Sequence, residues 1–100
     1  MEFNDKFNRK ITLSDERWKH ITETHPELID MLDVLKETLE EPELIKQSVY
    51  DENVILIYKY HGHIYDGKYI CVVVTLDNGL LVTAYITDRI KKGEIIWTKN

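Results

Sequence analysis

The segment RWKHITETHPEL, Arg17 to Leu28, carries two of the chain's four histidines five positions apart, with an arginine three before the first. Histidine moves protons near neutral pH and arginine grips a phosphate through a two-point fork, so the pattern suits chemistry at a phosphate. Arg17 and His20 stand at i and i+3 and are neighbours on one helix face. His20 and His25 are separated by about 500° of helical turn, which leaves them roughly 140° apart and not convergent. Trp18, Ile21 and His25 share a face instead, and Pro26 disfavours helical geometry at His25. His25 therefore reads first as a helix end and His20 as the preferred proton carrier, with both kept as catalytic candidates.

A second set of groups lies in VTAYIT, Val82 to Thr87. Thr83, Tyr85 and Thr87 alternate, which puts three hydroxyls on one face of a strand. Good strand formers explain that face without any function. Chemistry there needs a cation and a proton carrier, which Lys59, Arg89 and the first helix can supply. His61-Gly-His63 reads as a solvated turn ahead of a weak metal site, because no further ligands accompany it. Cys71, the one cysteine, lies in the apolar run YICVVVT and reads as a buried core thiol. Nucleotide loops, paired-cysteine zinc motifs and nucleophile elbows are absent.

The elements that must hold these groups follow from periodicity. Residues 1–10 read as a loosely held arm, since only Phe3 and Phe7 could anchor it. Thr12 or Ser14 can cap a helix from Asp15, whose acidic first turn suits the positive end of the helix dipole. A second helix begins at Pro26, with Leu28, Leu32, Leu35 and Leu39 as its buried stripe, and EEP at 40–42 closes it. LIKQSVY (44–50), NVILIYKY (53–60), KYICVVVTL, LLVTAYIT and EIIW (94–97) read as strands, with RIKKG a basic turn. The segment DNG predicts a hairpin with a three-residue loop and Gly79 left-handed, pairing Leu76 with Leu80 and Val74 with Val82. The same register pairs Val72 with Ala84 and Ile70 with Ile86. The fold class is α+β: two N-terminal helices packed on a curved antiparallel sheet of four to five meandering strands, one domain over residues 11–100.

Composition limits the function classes. At 100 residues, 43% hydrophobic and 31% charged, the chain has the balance of a single globular domain. No apolar run approaches the roughly 20 residues of a membrane span, and MEFNDKFNRK is too polar for a secretion signal. The expectation is a cytoplasmic protein with no membrane association. Net charge is −5, and between Glu27 and Glu43 seven acids face only Lys36. A nucleic-acid site must then be local and away from that stretch.

The order of RWKHI, HPE, an acidic helix, YKY, a hydrophobic strand and VTAYIT before KKGEIIW resembles the barnase–EndoU–colicin–RelE-like (BECR) nucleases of phages and bacteria. The resemblance spans about residues 11–97. It implies metal-independent, cofactor-free endoribonuclease activity, in some members as a toxin and in some dependent on the ribosome. By position it implies His20 or His25, Thr83 and Tyr85 as catalytic groups, with Arg17, Lys59, Thr87 and Arg89 as RNA-phosphate contacts. Partners would be RNA and, for a toxin, a neutralising antitoxin. The alternative is a catalytically inactive BECR-like module that binds RNA or a protein, through the acidic Glu27–Glu43 face and exposed Tyr58, Tyr60 and Tyr85.

Overall fold

A computed structural model describes residues Met1–Asn100. Ser14 opens α1 (Asp15–Thr24): its hydroxyl accepts a hydrogen bond from the Arg17 amide at 3.1 Å, and Asp15 and Glu16 occupy the first turn. His25 ends the helix, its amide donating to the Ile21 carbonyl at 2.7 Å. Pro26 then starts a single 3-10 turn (Pro26–Leu28) and not the second helix directly; α2 follows at Leu32–Glu40. The expected leucine stripe is real. Leu28, Leu35 and Leu39 are fully buried, and Leu32 packs against the same core.

The N-terminal residues form an element where a loose arm was expected. β1 (Glu2–Asn4) pairs antiparallel with β2 (Lys10–Thr12). The reason is polar and local. The Asp5 carboxylate is buried and accepts from the Phe7 and Arg9 amides at 2.9 and 2.8 Å, while Arg9 Nε closes on it at 2.7 Å. Ile11 and Leu13 carry the hairpin into the core.

The remaining strands are β3 (Leu44–Gln47), β4 (Val54–His61), β5 (Lys68–Thr75), β6 (Leu81–Thr87) and β7 (Ile95–Thr98), arranged in one antiparallel sheet of order β6-β5-β4-β3-β7. The α+β class is therefore confirmed, but the meander stops at β6. Residues 88–94 cross back over the sheet so that β7 pairs with β3. In the β5–β6 hairpin Ile70 pairs with Ile86 and Val72 with Ala84 as expected, and Gly79 is left-handed at φ +60. A bulge after Val73 then pairs Val74 with Leu81, not Val82. That extra residue turns Leu81 into the core and leaves Val82 half-exposed.

One face of the sheet packs on the helices: Ile55, Ile57, Ile70, Val72, Val74, Leu81 and Ala84 meet Ile21, Leu28, Leu35 and Leu39. The opposite face carries a second, smaller cluster of Leu56, Tyr58 and Cys71, flanked by Leu44, Tyr69, Val73, Tyr85 and Ile90. No helix is long and apolar enough to cross a membrane.

Candidate functional site

Strand register decides what this outer face can do. Three rows run across β4, β5 and β6: Tyr60–Tyr69–Thr87, Tyr58–Cys71–Tyr85 and Leu56–Val73–Thr83. Side chains in each row are direct cross-strand neighbours. The tyrosines pack edge to face, with ring centroids 5.4 Å apart for Tyr60–Tyr69 and 6.3 Å for Tyr58–Tyr69. The crossing segment roofs the middle row. Lys91 donates its amide to Tyr58 Oη at 3.1 Å, holds its Nζ 5.4 Å from the Tyr85 ring centre and accepts from Lys46 Nζ at its carbonyl at 3.1 Å. The third row stays open. It forms part of a cavity of about 500 Å³ bounded by Ser48–Tyr50, Val54, Leu56, Val73, Thr83, Tyr85, Lys91 and Lys92.

Burial sets the protonation of the middle row. It pushes Tyr58 up to about 12 and Cys71 up to about 11, and raises Tyr85 further still, with the neighbouring Cys71 adding to the rise. All three are neutral at physiological pH and none can serve as a base. Tyr85 Oη is fully enclosed and lacks a hydrogen-bond partner of good geometry, lying beside the Cys71 thiol and the Tyr58 hydroxyl. The expectation of a solvent-facing catalytic hydroxyl at Tyr85 therefore needs correcting: its ring faces the site and its hydroxyl faces inward. Tyr58, expected to be exposed, is fully buried, whereas Tyr60 is exposed.

The imidazole brought to this row is His25, not the preferred His20. α1 lies against β6, an edge strand, and the helix break places the His25 ring 6.3 Å from the Tyr85 ring at 35°. The Glu27 carboxylate lies 3.5 Å from His25 Nδ1, and the imidazole keeps 30% of its side chain exposed. The carboxylate lies on the Nδ1 side of the ring, beyond a hydrogen bond of good geometry, and leaves the Nε2 side free of it. His25 thus ends the helix and also reaches the outer face.

The other expected groups are dispersed. Arg17 and His20 do share a face, but His20 lines a shallow groove with Ser14, Glu16 and Arg17 that includes no residue of the sheet. Arg17 also borders Leu80–Val82 at the start of β6. Lys59 alternates with Tyr58 and Tyr60 along β4 and so belongs to the opposite, helix-facing side of the sheet, where it donates to the Glu41 carbonyl at 3.0 Å. Thr87 closes a local turn with the Arg89 amide at 3.0 Å and carbonyl at 3.2 Å. Arg89 itself is exposed, in the segment that carries Lys91 and Lys92. His61 is no solvated turn residue: it is buried, with Nε2 3.1 Å from Thr38 Oγ1. No cluster of three or more metal-ligating side chains occurs.

Three residues of the cavity were missed as site residues: Tyr50, Lys91 and Lys92. RIKKG was legible as a basic turn, but only the crossing to β7 lays it over the sheet. Compared with protein-family models, curated proteins and solved structures, the chain gives no match.

Proposed function

We propose that the protein is a metal-independent endoribonuclease whose site is the outer sheet face at the β6 edge. The observation that carries this reading is the convergence of His25, with the Glu27 carboxylate beside it, on the Tyr85 ring together with the cationic Lys91. The resemblance to BECR nucleases points the same way.

His25 is the base. Its Nε2 takes the ribose 2′-hydroxyl proton, and O2′ forms a bond to the adjacent phosphorus while the bond from phosphorus to O5′ breaks. The departing O5′ takes a proton from water, and the hydroxide left behind takes the proton held on His25, giving a 2′,3′-cyclic phosphate and a 5′-hydroxyl with His25 restored. Lys91 and Lys92 offset charge on the phosphorane oxygens, and Arg89 adds to the local positive field. Tyr85 supplies a flat, neutral wall, and its upward-shifted hydroxyl takes no part in proton transfer.

The test uses end-labelled RNA, free and on translating ribosomes, with EDTA present. Wild type should leave a cyclic phosphate, His25→Ala should lose at least 100-fold of the rate on the scale of lost acid–base catalysis, and His20→Ala should cleave as wild type. Absence of any cut in both settings, or a cut indifferent to His25→Ala, overturns the proposal. In that case the inactive, RNA- or protein-binding module is the reading to pursue.

A further inference from the structure

The 500 Å³ cavity beside the catalytic patch has an unusual composition for a surface depression. Its floor is apolar, formed by Val54, Leu56 and Val73; one wall carries Lys91 and Lys92; the other ends in Tyr50. Tyr50 is 95% exposed, so its ring contributes almost nothing to the folded core. Yet its backbone is fixed. The Tyr50 amide donates to Ser48 Oγ at 3.1 Å, Asp51 Oδ1 accepts from the Asn53 amide at 2.9 Å, and Gln47 Nε2 donates to the Glu52 carbonyl at 3.0 Å. A stapled turn thus presents a bare aromatic ring at the rim of a cavity with an apolar floor and a cationic wall. In a chain of net charge −5, that wall is a local reversal of sign.

We infer that this cavity binds one nucleotide of single-stranded RNA, with the base stacked on Tyr50 and its phosphate on Lys91 and Lys92. The inference deepens the nuclease reading and rests on it for the choice of RNA. Base–aromatic stacking tolerates any base, and a single strand offers unstacked bases that a duplex does not. Asp51 and Glu52 directly follow Tyr50 in its turn, which disfavours a phosphate on that side and leaves it to the lysine wall. Lys46 is already committed to the Lys91 carbonyl, so Lys91 and Lys92 are the ammonium groups that remain. Thr83 lies between the cavity and Tyr85, so a strand seated there continues toward His25.

The test measures anisotropy of a fluorescein-labelled 2′-O-methyl RNA hexamer, which lacks the attacking hydroxyl and reports binding alone. Tyr50→Ala should weaken binding about tenfold, Tyr50→Phe should restore it to within about twofold, and a duplex of the same length should bind at least tenfold more weakly. Lys91→Ala/Lys92→Ala should weaken binding and flatten its salt dependence. An unchanged thermal midpoint for Tyr50→Ala excludes a folding effect. Binding unmoved by Tyr50→Ala, or equal binding of duplex and single strand, overturns the inference. So does no binding at about 100 μM protein, the weak limit for non-specific nucleic-acid contacts, and the cavity then belongs to a protein partner. The two proposals separate cleanly. Tyr50-dependent binding without cleavage sinks only the nuclease, and His25-dependent cleavage with binding unmoved by Tyr50→Ala sinks only the stacking site.

Discussion

His61 closes β4 with 3% of its side chain exposed, and its hydrogen bonding can be assigned from proton count alone. Thr38 has one hydroxyl proton, donated to the Val34 carbonyl at 2.8 Å, so the His61 Nε2–H must donate to Thr38 Oγ1. Nδ1 then faces Glu37 Oε2 at 3.8 Å. Burial is the largest influence and lowers the His61 pKa from 6.5; Glu37 and Glu43 oppose this, while His63 and Lys59 reinforce it. The unfolded chain therefore takes up a proton before the native state does. The stability held by neutral His61 is complete above about pH 6.5 and falls as pH drops below it, by at most ~1.4 kcal/mol per pH unit, until the native imidazole also protonates. Urea midpoints from pH 7.5 to 5 should decline more steeply for wild type than for His61→Gln, which keeps a donor for Thr38. Identical slopes would sink the idea. Cys71 gives a companion prediction: fully buried and pushed up to about 11, its thiol should resist alkylation at pH 8 in the native protein and react at once in urea. Its burial was legible from YICVVVT. The placements of His20 and His25 were not, because helix periodicity says which residues share a face but not which strand that face meets.

Capping and turn chemistry account for most of what was legible among the elements. Ser14, the α1 boundaries, the α2 leucines and the centre of the β5–β6 hairpin are local patterns, readable over a few residues. The crossing of residues 88–94 to put β7 beside β3, and the Asp5 anchor of the first hairpin, depend on partners that no periodicity specifies. Gly79 joins the two kinds. Its left-handed φ follows from the turn, whereas its tertiary role lies in the carbonyl, which accepts from the Thr12 amide at 2.7 Å and ties the first hairpin to the β5–β6 turn. A Cβ there would collide with the Lys10 carbonyl oxygen. Gly79→Ala should therefore cost more than the ~1 kcal/mol of left-handed strain alone, because the hairpin must also shift. Ser14→Ala should cost about 1 kcal/mol, the usual value of a lost N-cap. In thermal melts each kcal/mol is about 4–8 °C for a domain this size, so Gly79→Ala should fall further than Ser14→Ala. The reverse order would show that the two hairpins are not coupled through Gly79.

Charge is divided between the two sides of the molecule. The helix side holds the acids from Asp30 to Glu41, while the segment roofing the outer face contributes Arg89, Lys91 and Lys92. At a net charge of −5 the long-range field repels a polyanion such as RNA, whereas the cations of the roofing segment oppose that repulsion locally. The two effects differ in reach. The contacts proposed for Lys91 and Lys92 would act at close range, whereas repulsion from Asp30 and Asp33 acts through solvent over a screening length of about 10 Å at 0.1 M salt. Neutralising those exposed acids leaves every residue of the site in place and changes only the approach. Asp30→Asn/Asp33→Asn should raise the association rate of single-stranded RNA about two- to threefold in dilute buffer, with the dissociation rate unchanged. The gain should vanish near 0.5 M salt, where the screening length is only a few Å. Stopped-flow anisotropy at both salt concentrations separates the terms. A gain that persists at high salt means that the acids touch RNA directly, and no gain in dilute buffer means that RNA does not approach the outer face through this field.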